Sequence, residues 1–235
     1  MANTKHRGLG VELTTGEVVG GFLYLPVYLI LLAVGLEFLN QLLGLGLDIQ
    51  RINYLYLSIN ALMILLILRK FLLRSFRNIC FWELIQAAIL GAVLYYVGRF
   101  VLSWVIALLQ VEVTSFNDET VNEMVGKSPA IMAVFTVVAA PLVEEVLVRG
   151  VIFGTIRRKN RVAAYVISVL FFAGMHVWQY LLVEPPVEVL KTAVLYIPAG
   201  IALAWTYEKA DNIWASILLH MFTNAVTFGL VQFLT

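Results

Sequence analysis

Seven long apolar stretches set the tightest limit on what this chain can fold into. They cover residues 18–39, 53–73, 84–109, 129–149, 161–182, 187–207 and 213–234. A helix needs about 20 mostly apolar residues to cross about 30 Å of hydrocarbon, and each stretch meets that requirement. An outer-membrane barrel would instead show segments of about ten residues with alternating polarity, which this sequence lacks. The sequence therefore predicts an all-α, multi-pass transmembrane helix bundle of about seven spans.

The composition agrees with a chain that lies mostly in lipid. Of its 235 residues, 61% are apolar and 13% are charged, and the mean hydropathy is +0.90. A soluble domain carries about 25% charged residues, so this chain has too few to cover a surface that faces water. We predict a single membrane domain over residues 1–235, located in the cell membrane, with a motif-bearing core at about 129–235.

The basic residues predict an orientation in the membrane. Eleven Lys and Arg lie in the N-terminal tail and in the connections between spans two and three, four and five, and six and seven. The opposite connections hold three. The positive-inside rule then predicts a cytoplasmic N-terminus and an external C-terminus. Because the basic residues form short flanks to the spans, we expect no nucleic-acid partner.

Charged residues inside the predicted spans are candidates for function, because a charge at the centre of a membrane helix costs about 2.5–3.5 kcal/mol. Glu144, Glu145 and Arg149 fall in the string P-L-V-E-E-V-L-V-R-G. They are either interfacial or buried, and the apolar residues that follow, before the basic cluster at Arg157, favour burial. Glu145 and Arg149 are four residues apart on one helix face and can pair. Glu144 is turned about 100° away, has no local partner, and suits a general acid or base.

An isolated charge, Arg99, lies in the third predicted span. It either pairs with an acidic group or lines a cavity, and we favour a structural role for it.

Two histidines also lie inside predicted spans. His176 ends the string F-F-A-G-M-H, and His220 is followed at the same helix face by Asn224. Either histidine alone would be interpreted as a structural residue. Both together, at a depth close to that of Glu144, predict a site in which all four side chains share one cavity.

Two kinds of chemistry fit a glutamate, two histidines and an asparagine. Two imidazoles and a carboxylate are common zinc ligands, but the H-E-x-x-H string is absent and Cys80 is the single cysteine. Without a metal, a glutamate and one histidine can deprotonate a water while the other histidine and the asparagine donate to an oxyanion. No serine or cysteine has a convincing nucleophile context. We favour activated water, with zinc less favoured and no cofactor expected.

Three motifs on successive helices match a known pattern. They are E-E-x-x-x-R from Glu144, F-x-x-x-H from Phe172, and H-x-x-x-N from His220. In this order they resemble the CAAX protease and bacteriocin-processing family of intramembrane peptidases, also called the CPBP or Abi family, which includes the type II CAAX prenyl endopeptidases. The resemblance covers about residues 129–235. Those endopeptidases have eight spans, whereas this sequence predicts seven.

The resemblance implies a role for each motif residue. Glu144 would act with His176 to activate water, and His220 with Asn224 would stabilise the oxyanion. Supporting roles fall to Glu145, Arg149 and Phe172. Family members have been described both as metalloproteases and as glutamate-dependent peptidases, so the resemblance leaves the metal open.

The function that follows is an intramembrane endopeptidase. Its partners would be the lipid bilayer and a peptide or protein substrate in or at the membrane. The alternative is a non-catalytic membrane protein with the same fold that acts in bacteriocin immunity or as a scaffold. A small transporter that uses the same residues as a proton relay is a third and weaker hypothesis.

Overall fold

The computed structural model describes residues 10–116, 119–120 and 129–234, with side chains described as far as residue 229. In these ranges the chain is helical and contains no β-strand. The helices are α1 (Thr15–Leu42), α2 (Ile49–Ile67), α3 (Arg69–Arg77), α4 (Phe81–Leu108), α5 (Pro129–Arg157), α6 (Arg161–Leu182), α7 (Pro186–Val194), α8 (Ile197–Ala210) and α9 (Ile213–Leu234).

The all-α, multi-pass prediction is confirmed. Within the described ranges, five helices (α1, α2, α4, α5 and α6) are long and apolar enough to cross a membrane. The helices α7 and α8 meet at a bend of 41° and together make a sixth candidate span. The helix α9 contributes a shorter apolar segment, Ile213–Gly229. Every predicted apolar stretch thus contains a helix, while the count of seven spans stays a prediction.

Side chains at the helix starts explain several of the boundaries. Thr14 accepts a hydrogen bond from the amide of Glu17, and the Glu17 carboxylate accepts one from the Thr14 amide, which makes a capping box before α1. Asp48 and Asn160 each accept from the amide three residues on, at 2.8 and 3.0 Å, before α2 and α6. These bonds satisfy amides that the first helical turn leaves without a partner.

The second predicted stretch, 53–73, differs from the structure because α2 ends at Ile67. Leu68 leaves the helical conformation, with φ −111° and ψ 15°, and the amphipathic helix α3 then begins. This helix buries Phe71 and Leu72 while its Arg and Lys side chains lie on the other face. Four basic residues within nine positions cannot continue a span through hydrocarbon, so the chain turns at this point.

The basic connections between helices lie at one end of the bundle, which we call the basic end. Arginines of α3, of α6, of the end of α5 and of the residue just after α5 pair there with carboxylates of the N-terminal segment, α1 and α8. The pairs are Arg74 with Glu17, Arg158 with Glu12, and both Arg157 and Arg161 with Glu208. The predicted cytoplasmic location of this end rests on the positive-inside rule alone.

The outer surface of the bundle is apolar. Large aliphatic and aromatic side chains are exposed along the whole outer face of α4, including Phe100 at 73% and Trp104 at 61% exposure. Soluble monomers rarely expose contiguous apolar patches above a few hundred Å². A surface of this kind is covered by lipid, and the protein is a multi-pass integral membrane protein.

Two close helix contacts bring α4 against α8. A Cβ atom added at Gly91 would lie 2.0 Å from the Thr206 Oγ1 atom, and one added at Gly98 would lie 3.1 Å from Pro198 Cβ. Small residues let membrane helices approach each other closely. The two glycines therefore fix the position of α4 along α8, close to the cavity described below.

Candidate active site

The helix that carries Glu144 has an irregular backbone on both sides of it. The helix α5 is α-helical over Ala140–Glu145, with π-helical turns at Phe135–Ala139 and Val146–Phe153. A third π-helical turn, Val27–Leu31, follows Pro26 in α1. Such turns are rare and often occur at functional sites. They change the direction in which the side chains of the intervening turn project.

The two motif histidines lie against Glu144. The Oε2 atom of Glu144 is 3.6 Å from His176 Nε2 and 3.9 Å from His220 Nε2. All three side chains are largely buried, with 13% of the Glu144 side chain exposed. This Oε2 atom is itself buried and forms no hydrogen bond shorter than 3.5 Å to the described residues. The carboxylate oxygen therefore lies between two imidazole nitrogens at distances longer than direct hydrogen bonds.

The other nitrogen of each histidine is held by a separate acceptor. His176 Nδ1 is 2.7 Å from the carbonyl oxygen of Phe172, and His220 Nδ1 is 3.0 Å from Oε1 of Glu145. A carbonyl and a carboxylate can only accept, so in these contacts each Nδ1 carries a proton and donates it. The Nε2 atoms are then the ones that face Glu144.

Glu145 and Arg149 lie behind the histidines and are completely buried. Arg149 Nη1 donates to Glu145 Oε1 at 2.9 Å, and Nη2 donates to the Gly200 carbonyl at 3.2 Å. The guanidinium also lies over the Phe172 ring, 4.3 Å from its centroid. These contacts join α5 to α6, α8 and, through His220, α9.

Asn224 shares the cavity but forms a different hydrogen bond. Its Nδ2 atom donates to the Thr136 carbonyl at 2.9 Å, within the π-helical turn that precedes Glu144. In a similar way, the Tyr56 hydroxyl donates to the carbonyl of Tyr28, in the π-helical turn of α1, at 2.6 Å. An amide nitrogen carries two N–H groups, so Asn224 retains a second donor.

One cavity of about 520 Å³ joins these groups. Its wall includes Glu144, His176, His220 and Asn224, together with residues of α1, α2, α4 and α8. The volume falls within the range of about 300–1,000 Å³ that is typical of ligand sites. All four residues that the sequence selected therefore border a single space large enough for a short peptide segment.

The part of the chain that carries the motifs matches a known protein family. Residues 126–226 match the family model described as type II CAAX prenyl endopeptidase Rce1-like. The family resemblance is confirmed for this segment. The matched segment carries every motif residue, from Glu144 to Asn224.

A curated relative supports the same resemblance. Over 111 residues the chain is 28% identical to a protein of Bacillus subtilis (strain 168) named "Putative membrane peptidase YdiL". The match covers 47% of this chain and 41% of that protein, so the chain spans less than half of the relative's length. No solved structure matches the chain.

The donor set is chemically suited to zinc, which accepts imidazoles and carboxylates. Among the residues that the structure describes, however, no three His, Cys, Asp or Glu side chains are arranged to hold a metal ion. Catalysis without a metal stays a prediction, which a chelator tests.

Sequence reasoning missed one neighbour of the site. The ring of Tyr196 stacks on His176 with a centroid distance of 4.4 Å and an interplanar angle of 23°. Tyr196 immediately precedes the I-P-A-G string at the start of α8 and carries no charge or motif to mark it. Together with the Phe172 carbonyl, it fixes the plane of the His176 imidazole.

Proposed function

We propose that this protein is an intramembrane endopeptidase that hydrolyses a peptide bond of a membrane-associated protein or peptide. The observation that carries the proposal is the position of Glu144 Oε2, buried at the cavity wall between His176 Nε2 and His220 Nε2. A water molecule in that space can donate one hydrogen bond to the carboxylate and the other to a neutral imidazole. The similarity to CAAX proteases and to a membrane peptidase supports the same reaction class.

In the proposed reaction, Glu144 acts as the general base with His176 orienting the water. The water oxygen attacks the peptide carbonyl carbon while its proton moves to the Glu144 carboxylate. The resulting tetrahedral intermediate carries the negative charge on the former carbonyl oxygen. When the carbon–nitrogen bond breaks, Glu144 returns the proton to the departing amine. The products are a carboxylic acid and an amine, and the enzyme is restored.

His220 and Asn224 are the proposed oxyanion donors. Asn224 has a second amide N–H beside the one bound to Thr136. His220 donates its Nδ1 proton to Glu145, so its Nε2 atom can donate only when the ring carries both protons. A doubly protonated His220, together with Arg149, would balance the charges of Glu144 and Glu145 within the site.

The reaction class is tested with the purified full chain in detergent and a library of membrane-anchored peptides, in water enriched in ¹⁸O. We expect cleaved products in which the new carboxylate carries ¹⁸O, as detected by mass spectrometry. Glu144→Gln should lose this cleavage, whereas the control variant Glu37→Gln, the same chemical change at an exposed position of α1, should keep it. Cleavage that introduces no ¹⁸O would contradict attack by water. Absence of any cleavage would favour the non-catalytic immunity or scaffold role.

A further inference from the structure

Arg99 is a charged residue inside the most lipid-exposed span. It lies in the string Y-Y-V-G-R-F-V-L of α4, eighteen residues after the helix begins at Phe81. A guanidinium in a membrane span is costly, and such residues usually face a cavity or a partner. Arg99 borders the same cavity as Glu144 and His176. The sequence leaves open whether Arg99 pairs with an acidic group or lines a cavity, and the structure places it at the wall of the candidate active site.

Arg99 lies beside a close contact between α4 and α8. Its neighbour Gly98 lies against Pro198, where an added Cβ would be 3.1 Å from the proline ring. Two residues before Pro198, the Tyr196 ring stacks on His176. Arg99 thus lies beside the contact between α4 and the start of α8, and Tyr196, next to that contact, borders the same cavity as Arg99.

Arg99 has few interactions compared with the other intramembrane arginine. The Arg149 guanidinium bonds to a carboxylate and a carbonyl and lies over an aromatic ring. Arg99 lies 5.9 Å from the centroid of the Tyr95 ring. No carboxylate among the described residues comes within 4.0 Å of it, although the pairs at the basic end are all that close.

We propose that Arg99 is a specificity residue that binds a carboxylate of the peptide substrate. A guanidinium presents parallel N–H donors that match a carboxylate in a bidentate pair. Arg99 would hold the anionic group on the α4–α8 side of the cavity while the bond to be cleaved lies at Glu144. The carboxylate is either the free C-terminus of the substrate or an acidic side chain. This inference rests on the proposed peptidase function for its substrate class.

A binding measurement tests the subsite separately from catalysis. The Glu144→Gln variant of the full chain, in detergent, is titrated with three fluorescent peptides. They are dansyl-Ala-Val-Leu-Leu with a free carboxylate, the same peptide as its C-terminal amide, and dansyl-Ala-Val-Glu-Leu amide. Adding Arg99→Gln to this variant removes the charge while keeping a polar side chain of similar length. Because nothing is cleaved, the result does not depend on peptidase activity.

We expect at least one of the two anionic peptides to bind about tenfold or more tightly than the neutral amide, the range of a charge-assisted hydrogen bond. This preference should disappear with Arg99→Gln. A preference for the free acid identifies the C-terminus as the ligand, and a preference for the glutamate peptide identifies a side chain. Equal binding of all three peptides, no binding of any, or a preference that survives Arg99→Gln would overturn the proposal.

Two further variants separate recognition from folding. Arg77→Gln makes the same change at an exposed position at the end of α3 and should keep the preference. Arg99→Lys keeps the charge without the planar fork, so we expect it to retain part of the preference. In the catalytically competent protein, Arg99→Gln should raise KM for the preferred anionic peptide about tenfold, with kcat nearly unchanged. An equal loss on the neutral peptide would show a structural role instead.

Discussion

The Nδ1 atom of His220 lies 3.0 Å from the same Glu145 oxygen that accepts a hydrogen bond from Arg149 at 2.9 Å. One buried carboxylate oxygen therefore holds a proposed oxyanion donor and a completely buried cation. This contact also links α9 to α5 across 75 residues of sequence. The distance between Glu144 and His220 consequently depends on Glu145, although Glu145 does not border the cavity.

Breaking the buried pair of Glu145 and Arg149 should destabilise the protein strongly. Replacing Arg149 by Met leaves a buried carboxylate without its cation, and removing one partner of such a pair costs about 3–5 kcal/mol. Thermal unfolding of the protein in detergent measures the effect. The double variant Glu145→Gln with Arg149→Met removes both charges and should regain part of the loss. A single variant as stable as the wild type would contradict a stabilising role for the pair.

Removing the proposed oxyanion donor Asn224 should slow the chemical step. We expect Asn224→Ala to reduce kcat by about 10²–10³, with little change in KM, because the donor acts on charge that develops only in the transition state. Steady-state kinetics on a cleaved peptide measure both constants.

Asn224 also donates to Thr136, so the stability of the variant has to be measured with its kinetics. Asn224→Asp, which keeps the size of the side chain but adds a negative charge near the oxyanion, should be at least as slow as Asn224→Ala. A variant that raises KM while leaving kcat intact would assign Asn224 to substrate binding instead.

A methyl group at the contact between α4 and α8 should be poorly tolerated. In Gly91→Ala the new Cβ would lie 2.0 Å from the Thr206 hydroxyl and 2.7 Å from Leu219, both buried. Overpacking of this kind costs about 1–3 kcal/mol. Gly35→Ala is the matched control, because no atom lies within 4 Å of its added Cβ. Thermal unfolding should separate the two variants, and equal stabilities would contradict the close helix contact.

Much of the fold follows directly from the sequence because lipid imposes a simple rule. Backbone groups in hydrocarbon must bond within the chain, so long apolar stretches become helices. The stretches 84–109 and 213–234 differ from α4 and α9 by at most a few residues at their ends. The sequence predicts no break at Leu68, because residues 53–73 are apolar on average. The basic residues that follow Leu68 end the span, and the sequence interpretation places them in the connection between spans two and three.

The sequence predicts which residues border the cavity better than it predicts the contacts that these residues form. Helical spacing singled out Glu144 and paired Glu145 with Arg149, since residues four apart share a helix face. Spacing within one helix could not reveal contacts between helices. The bonds of Glu145 to His220 and of Arg149 to Gly200 span 75 and 51 residues. The π-helical turns around Glu144 likewise have no signature in hydrophobic periodicity.

The measurement that tests the central claim most directly compares the wild type with Glu144→Gln on a cleaved membrane-anchored peptide, with and without a strong chelator. Glutamine keeps the shape of the side chain but cannot accept the proton of water. We therefore predict that the substitution lowers kcat by about 10²–10⁴ while the wild-type rate is unchanged by the chelator. The thermal unfolding of the variant should match that of the wild type. Cleavage by Glu144→Gln at the wild-type rate would contradict the assignment of Glu144 as the general base.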